Sequence, residues 1–326
     1  MWYRTAGCMV MLTLSLLAAP LAVHAQSAAK MPRLGVLTAG PPYSDAVLAA
    51  FRHALHELGW VEAQNLEVVR RYTEGHDERL PALAVELIHL PVDVLMADGT
   101  PAVLAAKQAT RTIPIIAGGG DLVGLGIVES LARPGSNITG VSFLDVEIAG
   151  KPLEFLREAL PGITRVAVLT TRNPIEVRML RTVEEAAPRL GLTLHVVDAR
   201  SPDDLGGAFT HILQGRAEAL HVFAGGLIQS SLSRITAFAA QHRLPVTGNR
   251  RYVTAAGGLM SYQPNRSEHW QRLARLTDRI LKGAKPADLP VEQPTKFELT
   301  INLKTAQALG ITMPPSLLLL ADEVIQ

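Results

Sequence analysis

The chain has 326 residues, 48% of them hydrophobic and 19% charged, with 31 lysines and arginines against 30 aspartates and glutamates. That apolar content excludes a disordered chain, and the near-neutral balance lacks the basic excess of a nucleic-acid binder. Cys8 is the only cysteine, which excludes an internal disulfide and a zinc site built on thiolates.

In chain order, Arg4 precedes an apolar run from Met9 to Val23 that ends at Val23-His24-Ala25. This is the pattern of a signal peptide over residues 1–25, with valine at the first small position of an A-x-A-like cleavage site. The run is shorter than the roughly 20 residues a membrane-spanning helix needs, and Pro20 and His24 interrupt it where an anchor would continue. Cleavage at Ala25 would remove both Arg4 and Cys8, leaving 30 basic and 30 acidic residues and no cysteine nucleophile. An exported, periplasmic monomer held by core packing alone is expected, with residues 26–145 and 146–262 as two α/β lobes and 263–326 as a tail packed back across them.

From Pro32 the chain alternates short β-like apolar runs with amphipathic helices. Such alternation predicts parallel sheet covered by helices on both faces. Arg33 to Thr38 reads as a buried strand, and Ser44 as the cap of a helix carrying Val47, Leu48, Phe51, Leu55 and Leu58 at helical spacing. Strands follow near Leu66–Arg70, Val92–Met96, Ile113–Ala117 and Ile138–Phe143. Helices are expected from Asp77, and from Thr100-Pro101 with threonine as N-cap and proline first in the helix. A second series has strands at Arg165–Leu169, Leu192–Val197, Ala219–Phe223, Leu244–Thr247 and Gly258–Tyr262. Its helices run from Lys151 to Leu160, after Pro174, after Pro202 and from about Gln229. The tail offers a helix near Ser267–Leu281, a linker-like stretch Pro286–Pro294 and a strand at Phe297–Leu303. The fold class is therefore two doubly wound parallel-sheet lobes joined by a hinge.

In open parallel sheets, ligands bind beyond the carboxyl ends of the strands, where loops and helix starts converge. Here those loops carry Thr38, Tyr43 and Ser44; Asp98, Gly99 and Thr100; Gly120 and Asp121; Arg172 and Asn173; Gly225; and Asn249, with Tyr262 near the end of a later strand. Helix starts at Ser44 and Thr100 suit a carboxylate, Asp98 and Asp121 an ammonium or hydroxyls, and the two tyrosines an apolar or aromatic part. A small polar, amino-acid-like solute would satisfy both charges. The same residue types also shape turns and caps, so for each one both roles stay open.

No cofactor or metal is expected. Gly118-Gly119-Gly120 lacks the dinucleotide spacing, no P-loop GK[ST] occurs, and His53 and His56 lie on the polar face of their helix without a third ligand. The chain also lacks G-x-S-x-G and H-E-x-x-H, so an enzyme is disfavoured, although a site assembled from distant loops would escape such a search.

The longer phrases carry a resemblance. Lys285 to Lys304 (KPADLPVEQPTKFELTINLK), its continuation to Ala321-Asp322-Glu323-Val324-Ile325, Arg133 to Val141 (RPGSNITGV) and Gly257 to Tyr262 (GGLMSY) resemble the ABC-transporter substrate-binding proteins that include the tryptophan/tyrosine importer component. The resemblance implies a type I periplasmic-binding-protein fold, hinge closure around a solute, and an ABC permease as partner. The chain departs from that pattern at Thr170-Thr171-Arg172-Asn173-Pro174 and at Gly248-Asn249-Arg250-Arg251-Tyr252, so an aromatic amino acid is not carried over. A periplasmic sensor module for a membrane receptor is the alternative role.

Overall fold

A computed structural model describes residues 31–223 and 225–326. The expected leader, residues 1–25, lies outside the described residues.

The first lobe contains β1 (Arg33–Thr38), α1 (Asp45–Glu57), β2 (Glu67–Tyr72), α2 (Leu80–His89), β3 (Val94–Asp98), α3 (Thr100–Ala109), β4 (Ile115–Gly120) and β5 (Ile138–Phe143). Its strands are all parallel, in the order β2-β1-β3-β4-β5. Alternate residues feed opposite faces of this sheet. Leu37, Leu95, Ala97, Ile115 and Ala117 pack under α2 and α3, while Leu34, Val36, Val94, Met96 and Ile116 pack on the other side. Burial on both faces explains why the central strands β1, β3 and β4 are mostly apolar, whereas the edge strand β2 carries Glu67, Arg70 and Arg71.

The second lobe contains α4 (Asp145–Ile148), α5 (Lys151–Ala159), β6 (Arg165–Thr170), α6 (Pro174–Ala186), β7 (Thr193–Asp198), α7 (Leu205–Gln214), β8 (Ala219–Val222), α8 (Gly226–Ser230), α9 (Leu232–Gln241), β9 (Val246–Gly248), α10 (Arg251–Ala255) and β10 (Met260–Pro264). The chain then forms α11 (Arg266–Leu281), β11 (Phe297–Asn302), α12 (Leu303–Leu309), α13 (Pro315–Leu320) and β12 (Glu323–Ile325). The second sheet runs β12-β11-β10-β9-β8-β6-β7.

This sheet departs from the all-parallel expectation, because β11 pairs antiparallel with β10. The reason is the path between them. After β10 the chain leaves for the first lobe, where Trp270, Leu273, Ala274, Leu276 and Ile280 of α11 join the core of Phe51 and Leu55. The segment anticipated as a linker then lies along β5: Thr139 Oγ1 donates to the Leu289 carbonyl (2.7 Å), and the Glu292 amide to that of Gly140 (2.9 Å). Only after Glu292 does the chain return to the second sheet, from the direction opposite to a βα crossover. The chain therefore crosses between the lobes three times, at Leu144, at Asn265 and over residues 293–296.

Two local expectations change. Gly118–Gly120 belong to β4 rather than to a loop, since the flanking strands β3 and β5 supply ladder partners that outweigh glycine's poor β preference. The N-cap of α3 is Gly99, at φ +96°, and not Thr100, whose hydroxyl instead accepts the Gly120 amide at 3.0 Å.

Candidate ligand-binding site

The lobes face each other across a narrow, partly open cleft formed by the strand ends of both sheets, with a cavity volume of about 90 Å³. They are drawn together. Helix α3 touches α6, and a methyl group added at Gly120 would lie 2.8 Å from Ile175 of the opposite lobe. Likewise a methyl added at Gly226 would lie 3.0 Å from the Gly40 amide nitrogen, so small residues set how closely the lobes approach.

On the first lobe, burial of β3 carries Asp98 to the floor of the cleft, 3% exposed. Both of its oxygens are occupied: Oδ2 accepts the Tyr43 hydroxyl, and Oδ1 faces Nε2 of buried His269 at 3.2 Å. Gly118 makes room for this pair, because a side chain there would meet Asp98 Oδ1 at 2.5 Å. Burial raises the Asp98 pKa, but the hydrogen bond and charge of His269, the Arg266 charge and the Tyr43 hydroxyl overcome it, bringing it down to about 2. Burial lowers the His269 pKa, and its unpartnered Nδ1 fits a neutral ring that donates through Nε2. Tyr43 meets Trp270 edge-on at 5.2 Å, and the Arg266 guanidinium lies over both rings, at 5.6 and 5.2 Å. Arg266 has no ion-pair partner among the described residues.

On the second lobe, Asn173 caps α6, its Oδ1 accepting the amides of Ile175 (3.2 Å) and Glu176 (3.1 Å). This cap directs Glu176, 2% exposed, back toward the end of β6. There Oε2 accepts the Thr170 hydroxyl (2.8 Å), the Thr171 amide (2.6 Å) and the Thr171 hydroxyl (2.9 Å). Oε1 has no partner. Burial pushes the Glu176 pKa up to about 7, with a contribution from the charge of Asp77, against the opposing effect of the three donors. Arg250 makes a two-pronged pair with Asp145 (2.9 and 2.8 Å) and lies 5.4 Å over the Phe143 ring, fastening the first crossing segment to the second lobe.

Of the residues singled out in the sequence, Tyr43, Asp98, Gly99, Thr100, Gly120, Asn173, Gly225 and Asn249 line this cleft. Five do not. Thr38 is fully buried beneath it. Ser44 lines a neighbouring groove and makes no side-chain cap bond. Asp121, at φ +45°, pairs with Arg178 at 2.6 Å across the lobes. Arg172, at φ +58°, is drawn to Asp198 at 2.8 Å on the second lobe. The Tyr262 ring packs against Phe155 and Phe297 inside that lobe. The cleft adds Asp145, Glu176, Phe223, Arg250, Tyr252 and Arg266, which sequence reasoning did not select. Arg250 and Tyr252 stand in the segment Gly248-Asn249-Arg250-Arg251-Tyr252, which the sequence marks as a departure from the family pattern but from which only Asn249 was taken as a contact. Among the described residues there is no cluster of histidine, cysteine and acidic side chains fit to hold a metal ion.

A family model described as ABC transporter substrate binding protein matches residues 40–325. A tyrosine-binding protein of Clostridioides difficile is 23% identical over 273 residues, 83% of this chain and 78% of that protein. A solved ABC domain from Streptococcus pneumoniae in complex with L-Trp superposes with a TM-score of 0.83 at 25% identity, covering 90% of this chain and 99% of the other. A ligand-free, open substrate-binding protein with adhesive properties from Clostridium difficile has the same fold, with a TM-score of 0.62 at 22% identity over 90% and 99% of the two chains.

Proposed function

Because this chain belongs to the ABC transporter substrate-binding proteins, we propose that it works in the periplasm, closes on a small amino-acid-like zwitterion and presents the closed form to its permease. The observation that carries the choice of ligand is the charge layout of the cleft: a guanidinium without an ion pair among the described residues, Arg266, and a buried carboxyl with an open oxygen, Glu176, on one enclosed surface. A carboxylate suits the first and an ammonium the second. The tyrosine-binding relative and the L-Trp complex support an amino acid as the class, and the aromatic groups Tyr43, Phe143, Phe223 and Tyr252 give its side chain an apolar surface. The three connecting segments act as the hinge, and ligand favours closure by its higher affinity for the closed form. Catalysis has no part in this cycle, and one copy of the chain suffices for it.

A thermal-shift screen of the twenty amino acids against refolded, ligand-free protein tests this reading. A true ligand at one hundred times its Kd stabilises by about 2.7 kcal/mol and is recovered unchanged. Consumption of the ligand, or stabilisation only by solutes lacking an ammonium or a carboxylate, overturns it.

A further inference from the structure

Carboxyl groups from opposite lobes flank the adjacent glycines Gly225 and Gly226. A methyl group added at Gly225 would lie 3.0 Å from Glu176 Oε1, and one at Gly226 would lie 2.7 Å from Asp77 Oδ1. Asp77 belongs to the first lobe, in the short turn Asp77–Arg79 that precedes α2. Its Oδ1 accepts the Thr73 hydroxyl at 2.8 Å, and that hydroxyl in turn accepts the Gly40 amide at 2.7 Å. Glu176 is anchored through Oε2 alone, which leaves Oε1 buried and unpartnered beside the cleft.

Neither carboxyl is ion-paired with a cation among the described residues. Glu176 faces Thr170, Thr171, Asn173 and Tyr252 from its own lobe and Asp77 from the other; of the guanidiniums lining the same cleft, Arg250 is paired with Asp145 and Arg266 lies over the Tyr43 and Trp270 rings. The charged neighbours of Asp77 are Glu78 and His76, and His76 is paired with Glu78 at 3.1 Å. Closure therefore brings two acids to adjacent glycines, and neither acid has an ion-pair partner among the described residues.

We infer that Glu176 and Asp77 form a cation-receiving subsite completed only when the lobes close, in which Glu176 Oε1 accepts an N–H of a primary ammonium and Asp77 supplies the second negative charge. The inference deepens the amino-acid reading and rests on it for the ammonium's belonging to an amino acid. In the ligand-free closed form, a proton on one acid does the work of the ammonium. Burial and the Asp77 charge raise the Glu176 pKa, so that proton is held up to near neutrality, and ligand capture below that point releases it.

The sign follows. Capture needs ionised Glu176, so affinity falls roughly tenfold per pH unit as pH drops below about 7 and levels off above it. Closure of the empty protein runs the other way, favoured at low pH and opposed as Glu176 ionises.

The test uses exported protein stripped of ligand by unfolding and refolding. The radius of gyration of the empty protein, measured by small-angle scattering from pH 5 to pH 8, is expected to grow as pH rises through about 7. Glu176→Gln, which keeps an oxygen for the three donors and places an amide N–H₂ where Oε1 was, removes that dependence. Asp77→Asn, at a turn outside the α6 core, moves its midpoint down. A radius unchanged with pH in the parent protein, or a dependence that survives in Glu176→Gln, overturns the subsite. Binding probes separate this inference from the reading beneath it. If the pH-dependent closure is present but L-tyrosine, L-tryptophan and L-leucine all fail to bind while n-butylammonium does, the subsite stands and the amino-acid reading falls. If an amino acid binds the parent protein and Glu176→Gln equally well, the reading stands and the subsite falls.

Discussion

Asp98 of the first lobe and Glu176 of the second are both buried carboxyl groups lining the cleft, and burial acts on both in the same direction. They end in opposite states, one down to about 2 and the other up to about 7. The difference lies in their partners. Asp98 receives donors on both oxygens from Tyr43 and His269, with Arg266 nearby, so its charge is fully provided for before any ligand arrives. Glu176 has three donors crowded onto one oxygen, none on the other, and the charge of Asp77 on the opposite lobe. The first lobe thus presents a finished floor and the second an unfinished one. A clamp built this way keeps its shape on one side and reserves the energetic response to ligand for the other.

The largest effect expected is that of Asp98→Ala. It strands the buried Tyr43 hydroxyl and His269 Nε2 without an acceptor, a loss of about 3 kcal/mol or more read from the denaturant midpoint. The pH profile identifies the cause. A carboxyl whose folded pKa is depressed from 3.8 to about 2 contributes stability that is present above pH 3.8 and lost as pH falls through about 2. The acid limb in that window should flatten in Asp98→Ala. An unchanged limb would mean that Asp98 is no more saturated than Glu176.

Glu176→Gln should act with the opposite sign. The folded chain keeps the Glu176 proton up to about pH 7 while the unfolded chain releases it near 4.5, so the parent protein loses stability as pH rises through that window. The shift corresponds to something on the order of 3 kcal/mol. Gln has no such proton to lose, so the ligand-free variant should melt higher than the parent at pH 8 and no higher at pH 4. Equal melting temperatures at pH 8 would remove the asymmetry between the lobes.

The parts of this arrangement that were legible in the sequence are those fixed by local pattern. Ile138–Phe143 was expected and found as β5, from the apolar Ile138, Val141 and Phe143 in a segment buried along its whole length. The strand-end rule led to the cleft and to Asp98. It failed at Glu176 because that residue sits in the first helical turn, not in the loop, and reaches the cleft only because the Asn173 cap turns α6 back onto Thr170 and Thr171. It failed at Arg266 because β10 continues to Pro264, past the expected end at Tyr262, before the chain turns into the other lobe. Arg172 and Tyr262 were read from loop position alone. A neighbouring strand captures the first through Asp198, and aromatic packing the second.

Smaller effects sharpen the comparison at the contact between the lobes. Gly120→Ala places a methyl group 2.8 Å from Ile175 and should weaken ligand affinity by impeding closure, with little change in the stability of the empty, open protein. Calorimetric binding beside a thermal melt separates the two. An equal loss in both would assign Gly120 to folding rather than to closure.

The smallest effect belongs to the Asp121–Arg178 bridge. Arg178 is 38% exposed and its partner 17%, so water screens the pair and its worth is about 1 kcal/mol or less. Because the two residues stand on opposite lobes, removing the bridge acts on the closed form alone. Arg178→Ala should therefore raise the ligand off-rate by less than about fivefold, an effect that shrinks further at high salt, while the melting temperature of the empty protein stays in place. An off-rate change as large as that of Glu176→Gln would move the response to ligand from the floor of the second lobe to its rim, since a screened pair at the mouth of the cleft would then be holding the clamp shut.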